Sequence, residues 1–174
     1  MRCKNEEFIT GAVFHIYNHA IDKYSLFHSD EDYRLFLNIL QRKIEKIPAS
    51  IFAYCLMPNH YHFLIRQDSE KKIYLIFNYA FISYAQIYNK IYGRKGPIFR
   101  TPLQHKAVTN QEYLIQLCKY IHMNPVSAGL VDHPEDWAYS NYLEWIKKRN
   151  GKLFAQEIHD KYFPEPKEYI EFIE

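Results

Sequence analysis

The amino-acid sequence predicts an α+β fold, in which an antiparallel sheet of the ferredoxin-like (RRM-like) type packs against helices. Two observations predict this fold class. Segments with strand or helix periodicity follow one another as strand, helix, hairpin, helix and strand, which is the element order of a ferredoxin-like sandwich. A further helix comes after the last strand and has to cover the other sheet face or an edge. The length of 174 residues favours a single domain over residues 1–174.

The first strand, the first helix and a hairpin occupy the first part of the chain. Residues 12–17 (AVFHIY) alternate well enough for a strand. Ser29 precedes three consecutive acidic residues, which is typical of a helix N-terminus with Ser29 as the cap. Apolar side chains then recur at helical spacing until Pro48, where the helix has to end. Residues 50–57 and 60–66 predict two antiparallel strands joined by a tight Pro-Asn turn.

Two histidines stand immediately after that turn, in the sequence LMPNHYHFLI at residues 56–65. His60 and His62 are two apart on the predicted strand, so both imidazoles project from the same sheet face. Histidine is the commonest side-chain metal ligand near neutral pH, and the pair therefore indicates a site for one cation. A His-x-His pair is equally compatible with surface or packed histidines when it stands alone.

The second helix and the last strand follow the hairpin. Helical periodicity covers residues 72–92, and Ser69 is the predicted cap. Residues 98–100 and 103–108 have the character of short strand pieces interrupted by a proline. These segments complete the predicted sheet.

The third helix has the clearest start signal in the chain. Thr109 and Glu112 fit a capping box, with Thr109 as the cap. Pro125 disfavours helical geometry at the residue before it, so the helix is predicted to end at Asn124. Tyr120 and Asn124 are four apart and lie side by side in the last turn. An isolated tyrosine in that position is most often a half-buried aromatic whose hydroxyl is hydrogen-bonded.

Positive charge is concentrated in the middle of a chain whose net charge is only +2. No carboxylate occurs between Glu70 and Glu112, an interval that holds seven Lys and Arg residues, whereas residues 132–174 hold ten carboxylates against six Lys and Arg. A cationic segment of this kind favours an anionic partner, typically nucleic acid, over a solvated helix face. The candidate phosphate contacts are Arg94, Lys95, Arg100 and Lys106.

The cysteines and the hydropathy pattern indicate a cytoplasmic protein. Cys3, Cys55 and Cys118 are scattered and odd in number, which favours free thiols over disulfides or a cysteine zinc site. No apolar run is long enough for a membrane helix, and no signal peptide is evident, so no membrane partner is expected.

Three segments together resemble one family. The sequences KYIHMNPVSAGLV (residues 119–131) and DWAYSNY (residues 136–142), combined with LMPNHYHFLI, resemble the REP-associated tyrosine transposases. These belong to the single-tyrosine HUH transposases of small bacterial insertion sequences. The resemblance runs from about Phe14 to Tyr142 and includes the order of the elements.

This resemblance implies an HUH-endonuclease fold and a role for each motif residue. His60, His62 and Asn124 would bind a divalent cation, Mg²⁺ or Mn²⁺, and Tyr120 would be the nucleophile. The implied activity nicks and rejoins single-stranded DNA through a 5′-phosphotyrosine intermediate, at hairpin-forming repeats or insertion-sequence ends. The enzyme would act as a monomer or a homodimer, since both occur among related enzymes.

Two other classes of function are compatible with the sequence. An aromatic-rich ferredoxin-like sheet with a basic edge resembles RNA-binding domains, so the chain is also compatible with a non-catalytic nucleic-acid-binding module. A metal-dependent nuclease that releases free 5′-phosphate ends is the second alternative. In all three cases residues 12–142 form the predicted core, and residues 143–174 are an extension without an assigned role.

Overall fold

The computed structural model describes residues 8–100 and 102–174. The described residues form a sheet of four strands and three long helices, which three short α-helices follow. No helix within those residues is both long and apolar enough to cross a membrane. The strands are β1 (Val13–His19), β2 (Ala49–Met57), β3 (His60–Gln67) and β4 (Gln104–Val108). The helices are α1 (Asp30–Ile44), α2 (Tyr74–Ile91), α3 (Gln111–Ser127), α4 (Tyr142–Trp145), α5 (Glu157–Tyr162) and α6 (Pro166–Ile173).

The sheet has the strand order β2-β3-β1-β4, and every neighbouring pair is antiparallel. With the connections strand–helix–hairpin–helix–strand, this order is that of a ferredoxin-like fold. The predicted fold class is therefore confirmed. The predicted hairpin is also present, because Met57 of β2 pairs with His60 of β3 across a two-residue turn.

The two faces of the sheet carry different cores. Tyr61, Phe63 and Ile65 of β3 point to the face covered by α1 and α2, where they pack with an aromatic core that includes Phe36 and Phe81. Strand geometry sends alternate side chains to the other face. His60, His62 and Leu64 consequently lie on the side of α3, as the alternation of His60 and His62 predicts.

The helix α3 covers the second face together with the C-terminal helices. Leu117, Cys118 and Ile121 of α3 pack against Cys55 and Leu64 of the sheet. Trp145 of α4 and Tyr169 of α6 are fully buried in the same cluster. Residues 143–174 thus pack against the tyrosine-bearing helix. The thiols of Cys55 and Cys118 are buried and free, as predicted, and Cys3 lies outside the described residues.

Two of the predicted helix caps are wrong. The helix α2 begins at Tyr74 rather than near Ser69, and the backbone N–H of Ile73 donates to Gln67 Oε1 at 3.1 Å. A side chain from the end of β3 therefore replaces a local cap. At α3 the cap is Asn110 rather than Thr109, because Asn110 Oδ1 accepts from the backbone N–H of Tyr113 at 2.7 Å.

The predicted end of α3 at Asn124 is also wrong, since the helix continues to Ser127 with Pro125 inside it. A Schellman motif ends it instead: Leu130 N–H donates to Pro125 O at 3.0 Å, and Gly129 N–H donates to Val126 O at 2.9 Å. Gly129 adopts the positive φ of 65° that this motif requires. Asn124 consequently lies a turn inside the helix, where its backbone is held firmly.

A buried hydrogen-bond network ties α3 to the sheet and to α6. Burial lowers the pKa of His122 to about 4, so its ring is neutral and has one N–H. That N–H lies on Nε2 and donates to Asn141 Oδ1 at 3.0 Å, while Nδ1 accepts from the Tyr169 hydroxyl at 2.6 Å. Asn141 Oδ1 also accepts from the backbone N–H of Tyr54 at 2.6 Å. His122 lies between Tyr120 and Asn124 in the sequence of α3. This network therefore holds that part of α3 in position against the sheet.

We expect Asn141→Ala to destabilise the protein by about 3 kcal/mol, because it leaves the Tyr54 N–H and the His122 Nε2–H buried without acceptors. For a chain of this size the melting temperature would fall by about 6–12 °C. Differential scanning calorimetry checks this value. Asn150→Ala is the control, since Asn150 is exposed in the loop after α4, and an equal loss in both variants would contradict the assigned role of Asn141.

Candidate active site

Four histidines from neighbouring strands line one face of the sheet. His60 and His62 come from β3, and His15 and His19 come from β1, which pairs with β3 so that His19 lies opposite His60. The rings of His19 and His60 stack at a centroid distance of 4.9 Å. His15 Nε2 lies 2.9 Å from His62 Nδ1. The predicted pair is therefore the centre of a larger group of imidazoles.

His15 and His19 were not among the predicted site residues. A signal for them is present in the sequence FHIYNH, because His15, Tyr17 and His19 alternate along a strand as His60 and His62 do. The alternation shows which side chains share a face of one strand. It does not show which strands are neighbours in the sheet.

Tyr120 of α3 lies next to this group of four histidines. Its side chain is 51% exposed, and its ring centroid lies 5.3 Å from that of His62 in an edge-on arrangement. This exposure is that of a half-buried tyrosine, and it leaves about half of the residue's surface open to solvent. Tyr120 borders a cleft of about 530 Å³. The cleft is lined by His15, Tyr17, His19, His62, Lys106, Tyr113, Gln116, Leu117 and Tyr120.

The side chain of Asn124 contacts that of His60. Asn124 Oδ1 lies 3.1 Å from His60 Nε2, and Asn59 Oδ1 lies 2.7 Å from His60 Nδ1. Burial is the main cause that lowers the pKa of His60 below its ordinary value, which favours the neutral ring with a single N–H. Each ring nitrogen faces an amide oxygen, which only accepts, so that one hydrogen can serve either Asn59 or Asn124. A cation between Nε2 and Asn124 would require the hydrogen to lie on Nδ1, toward Asn59.

His62 also presents an unsatisfied nitrogen. Its side chain is 4% exposed, and burial lowers its pKa to about 2, with a smaller contribution from the neighbouring histidines. The ring is thus neutral, and its Nδ1 is engaged by His15. Its Nε2 is buried and has no hydrogen-bond partner among the described residues. A buried polar atom without a partner is costly, so this nitrogen is a candidate ligand atom.

The donor set fits a small divalent cation. Within the part of the chain that the structure describes, no three His, Cys, Asp or Glu side chains form a metal-binding group, so a third ligand has to come from another type of residue. The amide oxygen of Asn124, which contacts His60, is the candidate for that ligand. Two ligands at right angles on a cation with bonds of about 2.1 Å lie about 3.0 Å apart, and the 3.1 Å between His60 Nε2 and Asn124 Oδ1 matches this spacing.

The four candidate phosphate contacts lie in different surroundings. Lys106 is exposed in the cleft beside Tyr120, and its Nζ lies 4.7 Å from the ring centroid of Tyr113. Arg100 is exposed in a second cleft with His19 and Asn59, on the other side of His60. The structure thus brings Lys106 and Arg100 to the histidines from two sides.

Arg94 and Lys95 lie in the loop after α2. The guanidinium of Arg94 packs 4.3 Å from the ring centroid of Tyr24, and Lys95 is exposed. Among the described residues that line the two clefts, neither Arg94 nor Lys95 occurs. These two charges are therefore separated from the candidate site.

Comparisons with known proteins agree with this architecture. Residues 9–124 match the family model described as IS200-like transposase. A solved structure of a REP-associated tyrosine transposase bound to a REP hairpin is similar over 91% of this chain and 96% of that chain, with a TM-score of 0.68 and 17% identity. At that identity the similarity shows a shared fold.

A second solved structure is described as a transposase from Deinococcus radiodurans R1. It has 15% identity, a TM-score of 0.46, and coverage of 68% of this chain and 94% of that chain. The search of curated proteins returns no match.

Proposed function

Because the chain belongs to the IS200-like transposase family, we propose that it cuts and rejoins single-stranded DNA through a covalent phosphotyrosine. The family places the chain among DNA-processing enzymes of transposition, that is, DNA endonucleases and strand transferases. The proposal assigns Tyr120 as the nucleophile. It assigns His60, His62 and Asn124 as ligands of a divalent cation, Mg²⁺ or Mn²⁺.

One observation carries this proposal. A solvent-exposed phenol, Tyr120, lies beside an imidazole, His62, and both line the same open cleft. The buried Nε2 of His62 has no hydrogen-bond partner within the part of the chain that the structure describes. A nucleophile has to be accessible to its substrate, whereas a cation ligand has to be desolvated and oriented. Tyr120 and His62 meet these opposite requirements in adjacent positions.

The reaction exchanges one phosphoester for another. The Tyr120 hydroxyl oxygen forms a bond to phosphorus, the P–O3′ bond breaks, and the phenolic proton ends on the released 3′-hydroxyl. A bound cation supplies Lewis-acid stabilisation of the charge on the phosphoryl oxygens. A second 3′-hydroxyl reverses the step and releases Tyr120, so no external energy source is needed. Phenolate is a good leaving group, which keeps the intermediate exchangeable.

The substrate follows from charge and from the structural relative. Lys106 and Arg100 flank the proposed centre, so a single strand that crosses it would have a cationic contact on each side. The similar solved structure holds a REP hairpin. We propose that this chain also acts beside a DNA hairpin, with an unpaired segment in the cleft.

A denaturing gel tests the function. The protein is incubated with Mn²⁺ and a library of hairpins with single-stranded flanks, in which each DNA is labelled at either end. The proposal requires a denaturant-resistant protein–DNA adduct at the 5′ end of the downstream fragment, together with a free 3′-hydroxyl on the other. Free 5′-phosphate ends without an adduct would instead identify a nuclease, and binding without cleavage would identify a nucleic-acid-binding module.

Removal of one of the positively charged side chains beside the proposed centre should weaken DNA binding. It should also make that binding less dependent on salt concentration. We expect Lys106→Ala and Arg100→Ala each to reduce the slope of log K against log salt by about 0.7, because a single strand releases about that many counterions per phosphate contact. Fluorescence anisotropy with a labelled hairpin at several salt concentrations measures this slope. Lys95→Ala is the control on the loop after α2, and a loss as large as that of Lys106→Ala would contradict the proposed path.

A further inference from the structure

We propose that His15 is a positioning residue, which sets the tautomer of His62 so that His62 Nε2 presents a lone pair to the cation. The inference rests on the proposed function, since it concerns a proposed ligand. It concerns a residue on another strand, His15, which has no assigned role in the sequence motifs.

The geometry of the pair is close and buried. His15 Nε2 lies 2.9 Å from His62 Nδ1, and the two rings stack at a centroid distance of 5.1 Å and an angle of 23°. His15 and His62 are 8% and 4% exposed. In the register of β1 and β3, His62 lies opposite Tyr17, so His15 reaches it from the diagonal position. Water therefore has little access to this hydrogen bond.

Only one hydrogen can lie between the two nitrogens. If His15 Nε2 carries it, His62 Nδ1 accepts, and the single hydrogen of neutral His62 has to lie on Nε2, where it blocks a cation. If His62 Nδ1 carries it, His15 Nε2 accepts and His62 Nε2 is left with a lone pair. The second arrangement alone makes His62 a ligand. It requires His15 to hold its own hydrogen on Nδ1.

The comparison with His60 shows why His62 needs such a partner. His60 Nδ1 faces Asn59 Oδ1, an amide oxygen that can only accept, so the tautomer with its hydrogen on Nδ1 already has a partner there when Nε2 binds a cation. The partner of His62 is an imidazole, which can donate or accept. The 2.9 Å between His15 Nε2 and His62 Nδ1 allows this imidazole to accept in its neutral form. The fold thus gives each of the two histidines an acceptor at Nδ1.

Mn²⁺ binding without DNA tests the inference. His15→Phe keeps a ring against Tyr17 and His62 but removes the acceptor, and we expect the affinity for Mn²⁺ to fall by about 10–100-fold. His15→Gln places an amide oxygen near the position of Nε2 and should recover most of that loss. Isothermal titration calorimetry gives the affinities, and thermal unfolding of each variant verifies that it is folded.

A matched control makes the same chemical change elsewhere. His105 on β4 packs against Phe8 and Phe14, and therefore lies on the opposite face of the sheet. His105→Phe should bind Mn²⁺ as the unsubstituted protein does. Equal affinity in His15→Phe and the unsubstituted protein would overturn the inference, as would a failure of His15→Gln to bind more tightly than His15→Phe.

The tautomer itself is visible without any substitution. Long-range ¹⁵N–¹H NMR spectra of the metal-free protein distinguish protonated from unprotonated ring nitrogens, and we expect His62 to carry its hydrogen on Nδ1. A hydrogen on Nε2 would overturn the role of His15 even if DNA cleavage is observed. Conversely, absence of the DNA adduct with the expected tautomer would refute the proposed function and leave the role of His15 intact.

Discussion

Tyr120→Phe should abolish the covalent protein–DNA adduct and lower DNA cleavage by about 10³-fold or more, because the variant lacks the only oxygen that forms the proposed bond to phosphorus. The side chain is 51% exposed and the phenyl ring can keep its contact with His62, so the fold and DNA affinity should be preserved. Single-turnover cleavage of a labelled hairpin, resolved on a denaturing gel, measures the loss.

Tyr113→Phe is the matched control for Tyr120→Phe. Tyr113 lines the same cleft from the same helix, two turns earlier, and packs under Lys106. It should keep the adduct and nearly the full rate. Cleavage that persists in Tyr120→Phe would indicate a water nucleophile and therefore a nuclease, whereas loss in both variants would mean that the cleft, and not one hydroxyl, is required.

Removal of divalent cations should have an effect of similar size. We expect chelation by EDTA to stop cleavage and Mn²⁺ or Mg²⁺ to restore it, because stabilisation of phosphoryl charge by a cation contributes several kcal/mol, or about 10³-fold in rate. His60→Ala should behave as the chelated enzyme at all but very high cation concentrations, since it removes the proposed ligand that contacts Asn124. Cleavage rates and calorimetric Mn²⁺ titrations are the two measurements.

His133→Ala is the control for this loss. His133 is exposed in the segment after α3, so its removal should change neither the affinity for Mn²⁺ nor the rate. Unimpaired cleavage in EDTA would refute the cation assignment. Normal Mn²⁺ binding by His60→Ala would show that the ion is held elsewhere.

Local patterns in the sequence predict the elements well, because each depends on residues that are near one another in the chain. The alternation around His60 and His62 places both on one sheet face, and the structure has them there. The apolar side of α3, at Leu117 and Ile121, is buried as its spacing predicts.

Local signals fail where another group nearby in the chain satisfies the same backbone need. Ser69 is a plausible cap, but Gln67 from the end of β3 binds the first free N–H of α2. Thr109 fits a capping box, but the adjacent Asn110 forms the hydrogen bond. Pro125 is expected to end α3, yet the helix continues to Ser127 and ends in a Schellman motif at Gly129.

The sequence by itself determines the order of strands and helices, the shared face of His60 and His62, and the proximity of Tyr120 to Asn124 on one helix. All of these follow from backbone periodicity over a few residues. Only the tertiary structure decides that Asn124 meets His60, that Tyr120 stands over His62, and that His15 engages the Nδ1 of His62. These contacts join residues 47 to 64 positions apart, and they depend on strand register and on the helix packing held by His122 and Asn141.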